Sequence, residues 1–252
     1  MKDYLLVLGL AALPALSNFI GGLLAEVLPV SKQTLGLALH VVIGVLLAVL
    51  SLELMPRAIA VQPVWVPILA FIAGGGFFIL THQAIEWLQH RRDREALRRS
   101  ADRTQGKTQA WIIFLSVSIH LFSGGLMIGS SATIARNLSL FLALARVVAH
   151  LPQGFAAIAE FRQHKLPRRI RLRLSLSFFV PILLGASLGY WFLRGQSELW
   201  KLGVLAFTTG TLMTSVVEEI IPEAHENQDT PLSNLLFVVS FALFTWFSTY
   251  VE

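Results

Sequence analysis

Eight stretches of this chain each approach the twenty or so apolar residues that an α-helix needs to cross a bilayer, and mostly short connections join them. The estimated spans are 4–26, 34–56, 63–87, 110–133, 137–160, 173–194, 199–221 and 232–251. Inside hydrocarbon every backbone N–H and C=O has to be satisfied within the segment, so such a chain is an all-α membrane protein. Composition agrees: only 14% of the 252 residues are charged, where a soluble domain carries about a quarter. The absence of cysteine excludes both a disulfide framework and a thiolate metal site. No separate soluble module is visible, and residues 1–252 read as one polytopic domain.

Charge orients the bundle. The net charge of +5 invites a nucleic-acid reading, but thirteen of the twenty Lys and Arg residues lie in two loops, Arg91–Lys107 and Arg162–Arg173. That clustering is the positive-inside pattern and puts both loops in the cytoplasm. An even number of spans separates them, so both termini face outward from the cell (inner) membrane. The start, Met1-Lys2-Asp3-Tyr4, suits an outward N-terminus better than a cleaved signal peptide. Nucleic acid is excluded as a partner; the partners expected are a divalent metal ion, the lipid bilayer and a second copy of the chain in a homodimer.

Two internal repeats point to where function lies. His-Leu-x-x-Gly occurs at His120–Gly124 and again at His150–Gly154. The two copies sit in antiparallel neighbouring spans, so both histidines fall near the midplane. Ionisable groups at that depth usually face a bundle interior or a wet cavity; the other reading is a polar pair bonding across a helix contact. The second repeat relates spans two and seven. Gly44-x8-Glu53-x2-Pro56-x-Ala58 matches Gly210-x8-Glu219-x2-Pro222-x-Ala224 in the opposite orientation. Inverted repeats belong to alternating-access transporters, with the binding site at the repeat interface. Spans four and five then stand between two three-span bundles, a 3+2+3 inverted-repeat arrangement. Pro56, Pro152 and Pro222 each lack an N–H and free the carbonyls of Leu52, Val148 and Glu218; a kink or a cation partner satisfies either reading.

On these residues the chain resembles the ZIP (Zrt/Irt-like) family of divalent metal transporters. The resemblance is carried by Val217-Glu218-Glu219-Ile220-Ile221-Pro222-Glu223-Ala224-His225, by Pro152-Gln153-Gly154, and by His120 to Gly125 with Gly129. It implies a metal path between spans two, four, five and seven and uptake of an ion such as zinc toward the cytoplasm. The metal is then transported substrate, with no tightly bound cofactor and no enzymatic activity. Carried over by position, His120 matches the first ligand of span four. The family's Asn and acidic positions there are Leu121 and Gly124. In span five the ligand positions are Ala149, His150 and Gln153.

The chemistry left by these departures is a weak cation site. His150 and Gln153 share a helix face and His120 faces them; imidazole suits zinc, iron, nickel or copper. Glu218 or Glu219 supplies negative charge, and Glu53 serves an outer station. Glu223 and His225, with Glu226 and Asp229, form a cytoplasmic exit mouth or a solvated loop. His82, Glu86 and His90 form a metal-collecting stripe or a plain polar face, and His40 is a ligand or a packing residue. Arg146, one turn before His150, repels cations. Its expected partner is Glu53 or Glu219, as a gate that metal opens or as a permanent plug. The alternative function is therefore a transport-deficient ZIP-like protein acting as a metal sensor or partner-binding scaffold. An intramembrane hydrolase would need motifs that are not present.

Overall fold

The computed structural model describes residues 2–28, 31–99, 102–225 and 230–251. Among them are eight helices long and apolar enough to cross a membrane: α1 (Lys2–Val27), α2 (Gln33–Ala58), α3 (Trp65–Arg99), α4 (Asp102–Ser131), α5 (Arg136–Gln163), α6 (Arg168–Leu193), α7 (Glu198–His225) and α8 (Pro231–Val251). The fold is all-α, with no strand among the described residues. The first basic segment differs from the loop expected of it. α3 runs on to Arg99 and α4 begins at Asp102, because Arg, Glu, Leu and Gln are strong helix formers.

Lipid offers no hydrophobic gain for helix association, so small residues that let backbones approach decide the packing. The dominant contacts pair α1 with α5, α4 with α6, α3 with α7 and α2 with α8. Exchanging α1 with α6, α2 with α7, α3 with α8 and α4 with α5 maps this set of pairs onto itself. The repeat glycines have matching roles in it: a Cβ on Gly210 would lie 2.0 Å from the Phe71 carbonyl oxygen of α3, and one on Gly44 2.4 Å from the Phe237 carbonyl oxygen of α8. The matching prolines also share a local distortion. A π-helical turn precedes each, Val49–Leu54 in α2 and Val216–Ile220 in α7. There the N–H of Met55 reaches back to Leu50 and that of Ile221 to Val216. Each proline thus widens the turn before it, a device frequent at functional sites.

Ion pairs lock the two ends. At one end Arg136, opening α5, donates to Asp3 of α1 at 2.5 Å. At the other, Arg171 of α6 grips Glu26 of α1 through Nε and Nη2 at 2.5 and 2.6 Å. Arg162 of α5 donates to the Ala25 carbonyl at 3.5 Å on that same end. The half of the bundle nearer Asp3 is filled by buried apolar side chains, among them Leu50, Met127 and Leu142, and Leu46 and Leu212 at its edge line the cavities. Toward the arginine-rich end the interior opens.

Candidate metal centre

Two cavities adjoin and share part of their lining, and the second reaches Glu160 and Glu223 toward the basic end. The first lies between α3, α4 and α7; the second, the roomier of the two, lies between α2, α4, α5 and α7. Ser116, His120, Arg146 and Glu219 line both. Arg146 is ten residues into α5, about 15 Å from its start, so the junction lies near the middle of the bundle.

Glu219 organises the junction. Its Oε2 is 3.7 Å from Nδ1 of His120 and its Oε1 is 3.8 Å from Nε2 of His82, so one carboxylate stands between two imidazoles from different helices. The Ser215 hydroxyl donates to Glu219 Oε2 at 3.1 Å and lies 3.5 Å from His120 Nδ1. Ser215 carries a signal that motif matching passes over: it precedes Glu219 by four residues, the spacing that stacks two side chains on one helix face. His82 is reached by the polar stripe of α3; the side chains of Glu86 and His90, and the whole of Glu226 and Asp229, lie outside the described residues. Among the described residues no three His, Asp or Glu side chains converge on a single point. The groups form a line around the cavities instead.

The other candidates distribute unevenly. Gln153 lines the second cavity, as does Glu223. His150 is fully buried with its ring centroid 6.0 Å from that of His120, yet it lines neither cavity. It shares a helix face with Gly154, whose Cα abuts the Asn18 backbone of α1; its nitrogens meet no partner in hydrogen-bond geometry, though the Pro14 carbonyl of α1 lies close. His150 therefore belongs to the α1–α5 seam, and the cavity wall beside it is Ala149. Glu218 is exposed on the bundle surface, on a different face of α7 from Glu219, which lines both cavities. Glu53 is buried and accepts a hydrogen bond from Arg57 at 3.1 Å.

Arg146 departs from expectation. Among the described residues neither Glu53 nor Glu219 comes within ion-pair distance of it. Its Nη1 instead donates to Nε2 of His120 at 3.1 Å. Nearer the basic end, the rings of His40 and His225 stand 5.2 Å apart. Nδ1 of each faces a carbonyl one turn back, Gly36 at 2.8 Å and Ile221 at 2.7 Å. A carbonyl only accepts, so Nδ1 carries a proton in both rings; a neutral imidazole held this way ligates metals through Nε2.

Residues 82–245 match the protein family described as ZIP zinc transporter, a stretch that holds both histidine motifs, Arg146 and the whole Glu219 segment. No curated protein matches the chain. With the family matched over more than half its length, the chain belongs to the ZIP zinc transporter family, whose members are transporters of divalent metal ions and not enzymes.

Proposed function

We propose that this protein carries a divalent cation, zinc first among them, from the Asp3 end of the bundle to the arginine-rich end, which is the cytoplasmic side of the inner membrane. The observation that carries this reading is the Glu219 carboxylate held between His82 and His120 where two cavities meet. Carboxylate and imidazole together suit zinc and its neighbours, and a small ligand set lets the ion leave again. Gln153 and Glu223 continue the path through the second cavity, and His40 with His225 forms the exit station. Glu53, paired with Arg57, is the outer station in its closed form. His150 supports the path from behind His120. Assembly as a homodimer is carried with the proposal, and cross-linking in vesicles reads it.

Zinc uptake into proteoliposomes tests the reading. Uptake should saturate, and His120→Ala or Glu219→Gln should each lower it about tenfold or more. The double variant should lose little beyond either single one, because ligands of one site act as a unit. Full uptake in the double variant would end the assignment. Orientation has its own test, made clean by the absence of native cysteine. In right-side-out vesicles an impermeant thiol reagent should label Gln196→Cys and spare Arg169→Cys; the reverse pattern inverts the proposed direction.

A further inference from the structure

Arg146 is 3% exposed, and its guanidinium is a cation at neutral pH. A cation buried this deeply needs a counter-charge, yet among the described residues no carboxylate comes within ion-pair distance of it. What it has is His120. A guanidinium has donors and no acceptor, so the 3.1 Å contact from Nη1 requires a lone pair on His120 Nε2. The ring proton of a neutral His120 then sits on Nδ1, facing Ser215 Oγ at 3.5 Å. Ser215 in turn donates to Glu219 Oε2 at 3.1 Å. Every donor in this line points the same way, from the buried cation through imidazole and hydroxyl to the carboxylate. The charge of Arg146 is balanced by Glu219 through His120 rather than by contact.

Room for this arrangement comes from Gly124, four residues after His120 on the same face of α4. A Cβ there would lie 3.2 Å from Cζ, 3.3 Å from Nη1 and 3.4 Å from Nε of Arg146. The guanidinium thus lies over a bare stretch of backbone beside the histidine that the metal reading needs. In this state both His120 nitrogens are engaged, one as acceptor from Arg146 and the other as a protonated donor. Neither offers a lone pair to an ion.

We propose that Arg146 is a latch on the metal centre: it caps Nε2 of His120 and holds the ring as the Nδ1–H tautomer, and a divalent ion engages His120 only when the guanidinium has swung away. Arg146 is a positioning residue in this scheme: by taking the Nε2 lone pair it keeps the ring proton on Nδ1, the nitrogen that faces Glu219. The proposal rests on the metal-transport reading above. It adds that the competitor of the ion is part of the chain itself.

Histidine-selective ¹⁵N labelling of the purified protein in lipid nanodiscs reads the tautomer without any metal, with His120→Gln identifying the resonance. Wild type should show His120 as Nδ1–H. Arg146→Met should move it toward Nε2–H. Gly124→Glu should do the same by drawing the guanidinium to the new carboxylate, a substitution that only a flexible side-chain end opposes. Zinc chloride titrated calorimetrically should bind Arg146→Met about tenfold or more tighter than wild type. An Nε2–H wild-type spectrum overturns the latch whatever the variants do, so a variant that fails to fold leaves the test intact. Equal zinc affinity in wild type and Arg146→Met overturns the competition while leaving metal binding in place. Zinc binding to neither protein, with the Nδ1–H tautomer present, overturns the metal reading and with it the latch on metal, leaving only a structural contact.

Discussion

Gly154→Ala should destabilise the protein by about 3 kcal/mol or more, at or beyond the upper end of ordinary overpacking. The added methyl would sit 1.9 Å from the Asn18 carbonyl oxygen and 2.9 Å from the Asn18 Cα. These are backbone atoms of a helix whose own hydrogen bonds resist movement, so no side-chain rotamer relieves the overlap. α1 and α5 would have to separate along their whole seam, where Ser17 of α1 also donates to the Val147 carbonyl at 2.6 Å. Reversible unfolding in a denaturing-detergent titration measures the loss. Gly76→Ala and Gly203→Ala are the matched controls, because a Cβ at either position meets nothing within 4 Å. Both should leave stability unchanged or raise it slightly through helix propensity. A Gly154→Ala protein as stable as these controls would show that the seam is not tightly closed.

Glu26→Gln should cost about 3 kcal/mol in the same titration. The Glu26 side chain is 4% exposed and that of Arg171 12%, so the substitution leaves a guanidinium nearly buried beside an amide. The neighbouring Arg168, 67% exposed and 3.8 Å from Glu26, is too well solvated to change that balance. Arg171 is further tied through Nη1 to the Leu166 carbonyl at 2.5 Å and has little freedom to turn outward. Glu26→Leu combined with Arg171→Leu should recover most of the loss, because both charges then leave the low-dielectric end of the bundle together. A double variant no better than Glu26→Gln would assign the cost to lost packing instead.

The spans were legible because a membrane fixes both length and apolarity, and the basic segments lie at one end as their charge implies. The repeat was legible because it sits in the residue pattern itself, from Gly44 to Ala58 and from Gly210 to Ala224. Its two π-helical turns were only half legible. The prolines announce a missing hydrogen bond, but whether the chain kinks or widens depends on the neighbouring helices. The site was harder, because rotation about a helix axis decides it. His150 and Ala149 are adjacent, and only the packing of Gly154 against α1 turns the first to a seam and the second to a cavity. That clue was present, since a glycine one turn after His150 marks the face of closest approach. The Arg146 contact was not foreseen, because charge alone nominates a carboxylate. The partner is a histidine because Gly124 leaves the space beside it empty of side chain.

The apolar layer of Leu46, Leu50, Met127, Leu142 and Leu212 has an electrical consequence. A voltage across the membrane drops where polarisable matter is thinnest. In the proposed orientation that is the apolar layer between the outer face and His120, and little of the voltage falls along the cavities beyond. The protein, so oriented, acts as a capacitor of roughly half the bilayer thickness, with the junction of Arg146, His120 and Glu219 on its cytoplasmic plate. Each 100 mV is then worth about 2.3 kcal/mol per unit charge over that shortened distance, so the field on a charge crossing the layer is about twice that in plain lipid.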